Sequence, residues 1–374
     1  MDDRVYKVGI LGAGFIADFH LDALQRIPGI RVMAVCDTDT GRAESLRRRW
    51  GVPEAHHSLD QMLAGGVVDV VHILVPPPYH FATATRCLEA GCDVFVEKPM
   101  VTSAADARRL REAVTASGRA LGVNHNNTCH PAFLRLAGAV RDCRLGRLEH
   151  VTACLSVPLR QLNAGQHSHW MFQSPLNIVL EQGSHPLSQI VKLLGEVQEA
   201  STMVSGGVTL NSGAVFHDTW QVSVKCQRGT AQLYMSFGRE NLDFWIHAIG
   251  QDGAAVADLR RNTFRLSEKT RFMEPIDNLV DTLRGAASLG KAGTGNFVNY
   301  VLSFFKLKPP ADPFPRGMRN SIADFYADLR AGRPPREGVS AGLAVVEACE
   351  AVAEGGHGIV AGAAEIQQEV APHA

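Results

Sequence analysis

The chain has 374 residues, 37 of them basic and 38 acidic, for a formal net charge of −1. Such a balance argues against a general nucleic-acid binder or a polybasic membrane-surface protein, both of which need clustered positive charge. At 45% hydrophobic and 20% charged residues the chain is too apolar for disorder, and its length suits two domains that need no disulfide or metal staple.

The first residues, MDDRVYKVGILGAG, are acidic and run straight into a glycine turn, unlike a secretory leader. The longest apolar run, from Val67, is broken by Asp69 and His72, so no membrane span is expected and the cytoplasm is the expected location. Eight scattered cysteines without a Cys-x-x-Cys pair read as free, mostly buried thiols in a reducing compartment.

From Val5 to about Asn124, short β-branched runs alternate with helical patterns. The strand candidates are VYKVGIL, RVMAVCD, VVDVVHILV, DVFVEK and ALGVN. Near-continuous apolar strands separated by helices predict a doubly wound α/β domain with a parallel sheet, here residues 1–125.

The first strand leads into GAGFIA, a G-x-G-x-x-A turn. Gly12 permits the tight turn, and Gly14 lets the backbone approach a pyrophosphate. Phe15 and Ile16 complete the loop, and Ala17 allows close helix–strand packing. Asp37, 20 residues past Ala17 at the end of the second strand, is placed to accept hydrogen bonds from an adenosine ribose. A carboxylate there repels a 2′-phosphate, which favours NAD over NADP. The Arg47–Arg48–Arg49 run reads as a solvated helix face.

The fourth strand ends in Glu97-Lys98-Pro99. Ligands of open α/β sheets sit beyond the carboxyl ends of the strands, so Lys98 is expected in a nicotinamide crevice. NHNNTCHPAF follows the fifth strand and places Asn124, His125 and Asn126 at the same edge. QHSHW brings His169 and Trp170 ahead of a helix that carries Glu181 and His185. All are groups that hydrogen-bond sugars. Paired histidines such as His167 and His169 lack a third ligand at a recognisable spacing, so no metal is expected.

From about Gly146 the strands RLEHVTACLSV, EVQEASTMVSG, TWQVSVKC, TAQLYMSFG, DFWIHAIG and AAVADLR follow one another mostly without crossover helices. This predicts an α+β domain, residues 126–374, with a largely antiparallel open sheet. Residues 284–316 read as a glycine-rich mobile loop and a short amphipathic helix packed into the core. Covering the pocket or contacting a neighbour are the alternatives there. Helices over 320–331 and 339–355 are expected to pack back on the first domain.

Taken together, GAGFIADFH with VCDTD, VPPPYH, EKP and LEQGSHPLSQIVKLLG resemble the Gfo/Idh/MocA family of oxidoreductases over most of the chain. The resemblance implies cofactor contacts from Pro76, His80 and Glu97 as well as Lys98. It implies that Lys98 hydrogen-bonds the reacting oxygen and the nicotinamide ribose, and that His185 is the general acid/base. Glu181 stands where the family has aspartate; on a helix, four residues apart, it would share a face with His185 and charge-stabilise it. Pro186 disfavours that geometry unless the helix begins near Ser184. The expected protein is an NAD-dependent oxidoreductase of a sugar, polyol or related cyclic alcohol, assembled as a dimer or tetramer through its second sheet. A redox-neutral epimerase, lyase or glycosidase with transient oxidation, and a non-catalytic nucleotide-binding regulator, are the alternatives.

Overall fold

The computed structural model describes residues 4–268, 272–307 and 313–355. They form two compact units. The first takes in residues to Arg135 with Arg261–Thr263 and Ala286–Glu347; the second takes in Leu136–Arg260, Phe264–Gly285 and the described residues from Ala348.

The first unit begins with β1 (Tyr6–Leu11), α1 (Ala17–Leu24), β2 (Ile30–Cys36), α2 (Thr40–Trp50), β3 (Glu54–His56) and α3 (Leu59–Ala64). It continues with β4 (Val70–Ile73), α4 (His80–Glu89), β5 (Asp93–Val96), α5 (Ala104–Ser117) and β6 (Leu121–Val123) before α6 (Pro131–Arg141) leads out. The six strands pair in parallel in the order β3-β2-β1-β4-β5-β6. This is the doubly wound arrangement, with its reversal of strand order at β1 and β4, where such sheets bind ligands. Residues of β4 and β5 are buried throughout, which explains their unbroken apolar sequence. The short, polar β3 has no sequence signature; its backbone pairing with β2 holds it.

The second unit contains β7 (Leu148–Ser156), α7 (Arg160–Asn163), α8 (Pro175–Ile178), α9 (Ser184–Leu194), β8 (Val197–Ser205), β9 (Val208–Thr209) and β10 (Val215–Phe216). Then come β11 (Thr219–Cys226), β12 (Gly229–Ser236), β13 (Asp243–Gly250), β14 (Gly253–Asp258) and β15 (Thr263–Glu268). Its large sheet runs β15-β14-β13-β7-β12-β11-β8. The β7–β12 pair is parallel, while β13 with β7, β11 with β12, β11 with β8 and β13 with β14 are antiparallel. Strand β11 alternates buried and exposed side chains, as a sheet covered on one face requires.

Among the described residues three helices follow: α10 (Glu274–Phe304), α11 (Pro313–Arg330) and α12 (Val339–Glu354). The segment expected as a loop with a short core helix is instead mostly the 31-residue α10. Its glycines each cost about 1 kcal/mol relative to alanine, but they lie among Ala and Leu residues that sustain the helix. Nor does it pack into the core. Leu283, Phe297, Tyr300 and Phe304 are exposed, and Gly285 is buried.

Helix α11 completes the hydrophobic core of the first unit. Met318, Ile322, Phe325 and Tyr326 pack with Tyr6, Ile10, Leu21, Leu24 and Phe95. Burying side chains of this size contributes roughly 1.5–3 kcal/mol each. The fit is close at Gly122, where an added Cβ would lie 2.5 Å from Phe325 and 2.9 Å from Phe95.

Candidate active site

The loop after β1 is built on Gly12, whose φ of 105° favours glycine. A Cβ there would lie 2.8 Å from the carbonyl carbon and oxygen of Leu74. At Gly14 a Cβ would meet nothing within 4 Å, so the backbone faces open space where a pyrophosphate could approach. Phe15 is 80% exposed and meets Phe19 edge-on at 5.2 Å, and Ile16 caps α1. Asp37 Oδ2 accepts from the amide of Ala13 at 2.8 Å, and Oδ1 from the amide of Asp39 at 2.9 Å. The carboxylate thus ties the glycine loop to the end of β2 and keeps lone pairs for a ribose. These features fit a dinucleotide. The arginine run is spent on neighbours: Arg47 and Arg48 pair with Glu44, at 2.7 and 2.6 Å, and Arg49 pairs with Asp18 at 3.2 Å.

Beyond β4, Pro76 leads into a short 3-10 turn and α4. His80 is fully buried. Its Nδ1 faces the Pro99 carbonyl and its Nε2 the Val75 carbonyl, each at 2.8 Å. Burial pushes this imidazole down, against the opposing pull of those carbonyls. His80 therefore staples the loop after β4 to the loop after β5, where the Lys98–Pro99 peptide is cis.

Glu97 lies at the centre of a polar cluster. Its Oε1 meets His20 Nε2 at 2.7 Å and accepts from Asn124 Nδ2 at 2.6 Å; its Oε2 accepts from the Lys98 amide at 3.3 Å. Burial alone would raise the Glu97 carboxyl. The His20 and Asn124 hydrogen bonds and the Lys98 charge oppose it, and Glu97 is held below the usual range. His20 Nδ1 lies 2.8 Å from His72 Nδ1, and His72 Nε2 lies 2.9 Å from the Tyr326 hydroxyl. Burial drives the His72 imidazole well below its ordinary value and the Tyr326 phenol well above it. Of this cluster the sequence pointed only to Glu97, Lys98 and Asn124. The available signal was His72 itself, a titratable residue inside a fully buried strand.

Asn124, His125 and Asn126 follow β6. Asn124 Oδ1 and Asn126 Nδ2 are buried with no hydrogen-bond partner among the described residues, as expected of groups kept for a polar ligand. His125 differs: its Nδ1 lies 2.9 Å from Glu337, which anchors the segment before α12. The Cys129 thiol is buried and lies 3.9 Å from Asp324.

In the second unit, His169 Nδ1 accepts from the Met171 amide at 3.4 Å, and Trp170 Nε1 donates to Glu181 Oε2 at 3.2 Å. Glu181 lies in a π-helical turn, Val179–Gly183, that runs into α9 at Ser184. The Glu181–His185 spacing is therefore not that of a plain α-helix. Pro186, lacking an amide hydrogen, sits in the first turn of α9, where it is tolerated. Single π-turns of this kind are frequent at functional sites. His185 is half-buried in the first turn of α9, and the Ser188 hydroxyl donates to its carbonyl at 2.8 Å. Ser184 Oγ is buried with no partner among the described residues.

Among the described residues no group of three or more His, Cys, Asp or Glu side chains is arranged to hold a metal, and no helix is long and apolar enough to cross a membrane.

Residues 6–125 match the profile of the GFO_IDH_MocA group, described as an oxidoreductase family with an NAD-binding Rossmann fold. An inositol 2-dehydrogenase from Rubrobacter xylanophilus is 35% identical over 251 residues, covering 62% of this chain and 72% of that protein. Inositol 2-dehydrogenase 1 from Saccharopolyspora erythraea is 26% identical over 307 residues, covering 76% and 87%. Of several other relatives the chain spans less than two thirds, between 38% and 56% of their length. A levoglucosan dehydrogenase solved with NADH and levoglucosan shares the fold, with a TM-score of 0.76 and 17% identity over 94% of this chain and 97% of that one.

Proposed function

The chain belongs to the Gfo/Idh/MocA oxidoreductases, and on that premise we propose that it moves a hydride between NAD and a secondary hydroxyl or keto group of a sugar, polyol or related cyclic alcohol. The inositol dehydrogenases among its relatives support this substrate class. One observation carries the reading. Lys98 stands at the carboxyl end of β5, next to the partly buried Glu97 carboxylate, in the sheet whose β1 ends in the open glycine turn.

When bound, NAD supplies the hydride acceptor. Gly12, Gly14, Phe15 and Ile16 shape its loop, and Asp37 takes the adenosine ribose, which favours NAD over NADP. Pro76 and the loops stapled by His80 border the nicotinamide end. The Lys98 ammonium donates a hydrogen bond to the substrate oxygen and stabilises the charge that develops there. His185 takes the hydroxyl proton, with Glu181 stabilising the imidazolium. Asn124, Asn126, His169 and Trp170 hold the other hydroxyls. Residues 1–125 serve the nucleotide and 126–374 the substrate. The exposed face of the second sheet joins copies into a dimer or tetramer.

Lys98→Met and His185→Ala should each remove turnover with inositols and sugars, read as NADH absorbance at 340 nm, while NADH still binds by fluorescence. Turnover retained in either variant removes that residue from the reaction.

A further inference from the structure

The cluster behind Glu97 crosses the first unit from α1 through β4 to α11, and its hydrogens can be placed by elimination. The Tyr326 hydroxyl is fully buried, and the one acceptor in its reach among the described residues is His72 Nε2 at 2.9 Å. A buried hydroxyl with no acceptor is costly, so this O–H donates to His72. His72 Nε2 is then an acceptor and the proton of that ring sits on Nδ1. From there it donates to His20 Nδ1 at 2.8 Å. His20 in turn carries its proton on Nε2 and donates to Glu97 Oε1 at 2.7 Å. The reverse order, with His72 donating to Tyr326, would strand the phenolic hydrogen.

We propose that Tyr326, His72 and His20 form a one-way chain of neutral donors that ends on Glu97, and that these three are positioning residues holding its carboxylate ionised as the counter-ion of Lys98. The chain balances charge: the Glu97 carboxylate feels the charge of the adjacent Lys98, and a chain of neutral donors adds no third charge. An imidazolium at His20 would leave a net positive cluster in a dry interior. Desolvation keeps His72 neutral and Tyr326 protonated, as such a chain needs. The other titratable groups of this unit that interact with it are His80, which feels the Glu97 charge, and Asp93, Tyr6 and Arg330, which act on Tyr326. The role of Lys98 in turnover rests on the reading above; the direction of the chain does not.

The direction is tested first, on the full chain, by histidine ¹⁵N NMR with signals assigned from single variants. Neutral rings protonated at Nε2 in His20 and at Nδ1 in His72 are expected. An imidazolium at His20, or His72 protonated at Nε2, overturns the chain. The positioning role is tested by following the Glu97 side-chain carboxyl through an acid titration by ¹³C NMR. His20→Leu leaves Glu97 with Asn124 and the Lys98 amide but without the His20 donor, so its carboxylate should take up a proton more readily and the midpoint should move at least half a pH unit higher. His20→Gln keeps an N–H toward Glu97 and an oxygen toward His72, and should restore the midpoint. A midpoint unmoved in folded His20→Leu overturns the role, because a purely structural contact would lower Tm alone. If His20→Leu does not fold, Tyr326→Phe, which deletes one oxygen, carries the test with a smaller shift in the same direction. Turnover surviving in Lys98→Met would sink the proposed reaction and leave the NMR result standing.

Discussion

Replacing Asp37 by serine tests how this fold reads its nucleotide. The carboxylate has about four lone-pair directions, and the amides of Ala13 and Asp39 use two, at 2.8 and 2.9 Å. The rest remain for a ribose, where a charge-assisted hydrogen bond contributes about 1.5–3 kcal/mol. Its loss should weaken NADH binding about tenfold to a hundredfold. For NADPH the change has the opposite sign. A phosphate of charge about −2 some 5 Å from the carboxylate is repelled by about 1.7 kcal/mol at the dielectric constant of water, before screening by salt. Asp37→Ser removes that repulsion and leaves Arg42, bonded to Asp39 at 3.0 Å, in the first turn of α2 nearby. The ratio of NADH to NADPH affinity should therefore fall by about two to three orders of magnitude. Fluorescence titration of both nucleotides measures it, with a thermal melt to confirm that the loop still folds. A ratio that moves less than fivefold in a folded variant would refute this account of Asp37.

Gly122→Ala forces a methyl against Phe325 and Phe95, so it should cost about 1–3 kcal/mol, read as a lower Tm; an unchanged Tm would mean that α11 yields freely. Gly317→Ala would place a Cβ 2.6 Å from the Asn126 carbonyl, and should raise KM for the substrate by displacing Asn126. An unaltered KM would take Asn126 out of substrate binding. Stability should also fall with acid in two stages. His72 is held below its ordinary value of 6.5, so its contribution is complete above about pH 6.5 and is lost as the unfolded chain takes up the proton that the folded one resists. Glu97, held below 4.5, contributes above that pH and loses its contribution as pH falls through its lowered value. Each group can add up to about 1.4 kcal/mol per pH unit to the slope. Urea midpoints that stay flat from pH 7.5 to 5.5 would contradict the buried, neutral His72.

The nucleotide half was legible because its signals are local. Gly12, Gly14 and Asp37 follow adjacent strand ends, and the carboxyl-terminal residues of those strands are buried, so their apolar composition marks them. Strand β3 was hidden because its three residues are held by backbone pairing rather than by apolar side chains. Helix α10 was hidden because its glycines read as breaks, although the turns between them propagate through Ala and Leu. The π-turn below His185 leaves no periodicity to find. In the polar cluster, His20 and His72 stand 52 residues apart, and His72 and Tyr326 stand 254 apart. Local spacing carries no trace of partners so distant, even though the chemical need of each buried ring for one was plain.

The core of the first unit has a consequence for synthesis. Met318, Ile322, Phe325 and Tyr326 close over Tyr6, Leu21 and Phe95, yet about 200 residues separate them from the end of β6. At about 5–20 residues per second, a ribosome takes roughly 10–40 s to cover that distance. Throughout that interval the nascent sheet shows an open apolar face and the buried rings of His20 and His72 wait for Tyr326. The amino-terminal third, although its strands are complete, is not a finished module until most of the chain has emerged. A fragment ending near residue 125 should accordingly be recovered as an aggregating or chaperone-bound species rather than as a free-standing nucleotide-binding domain.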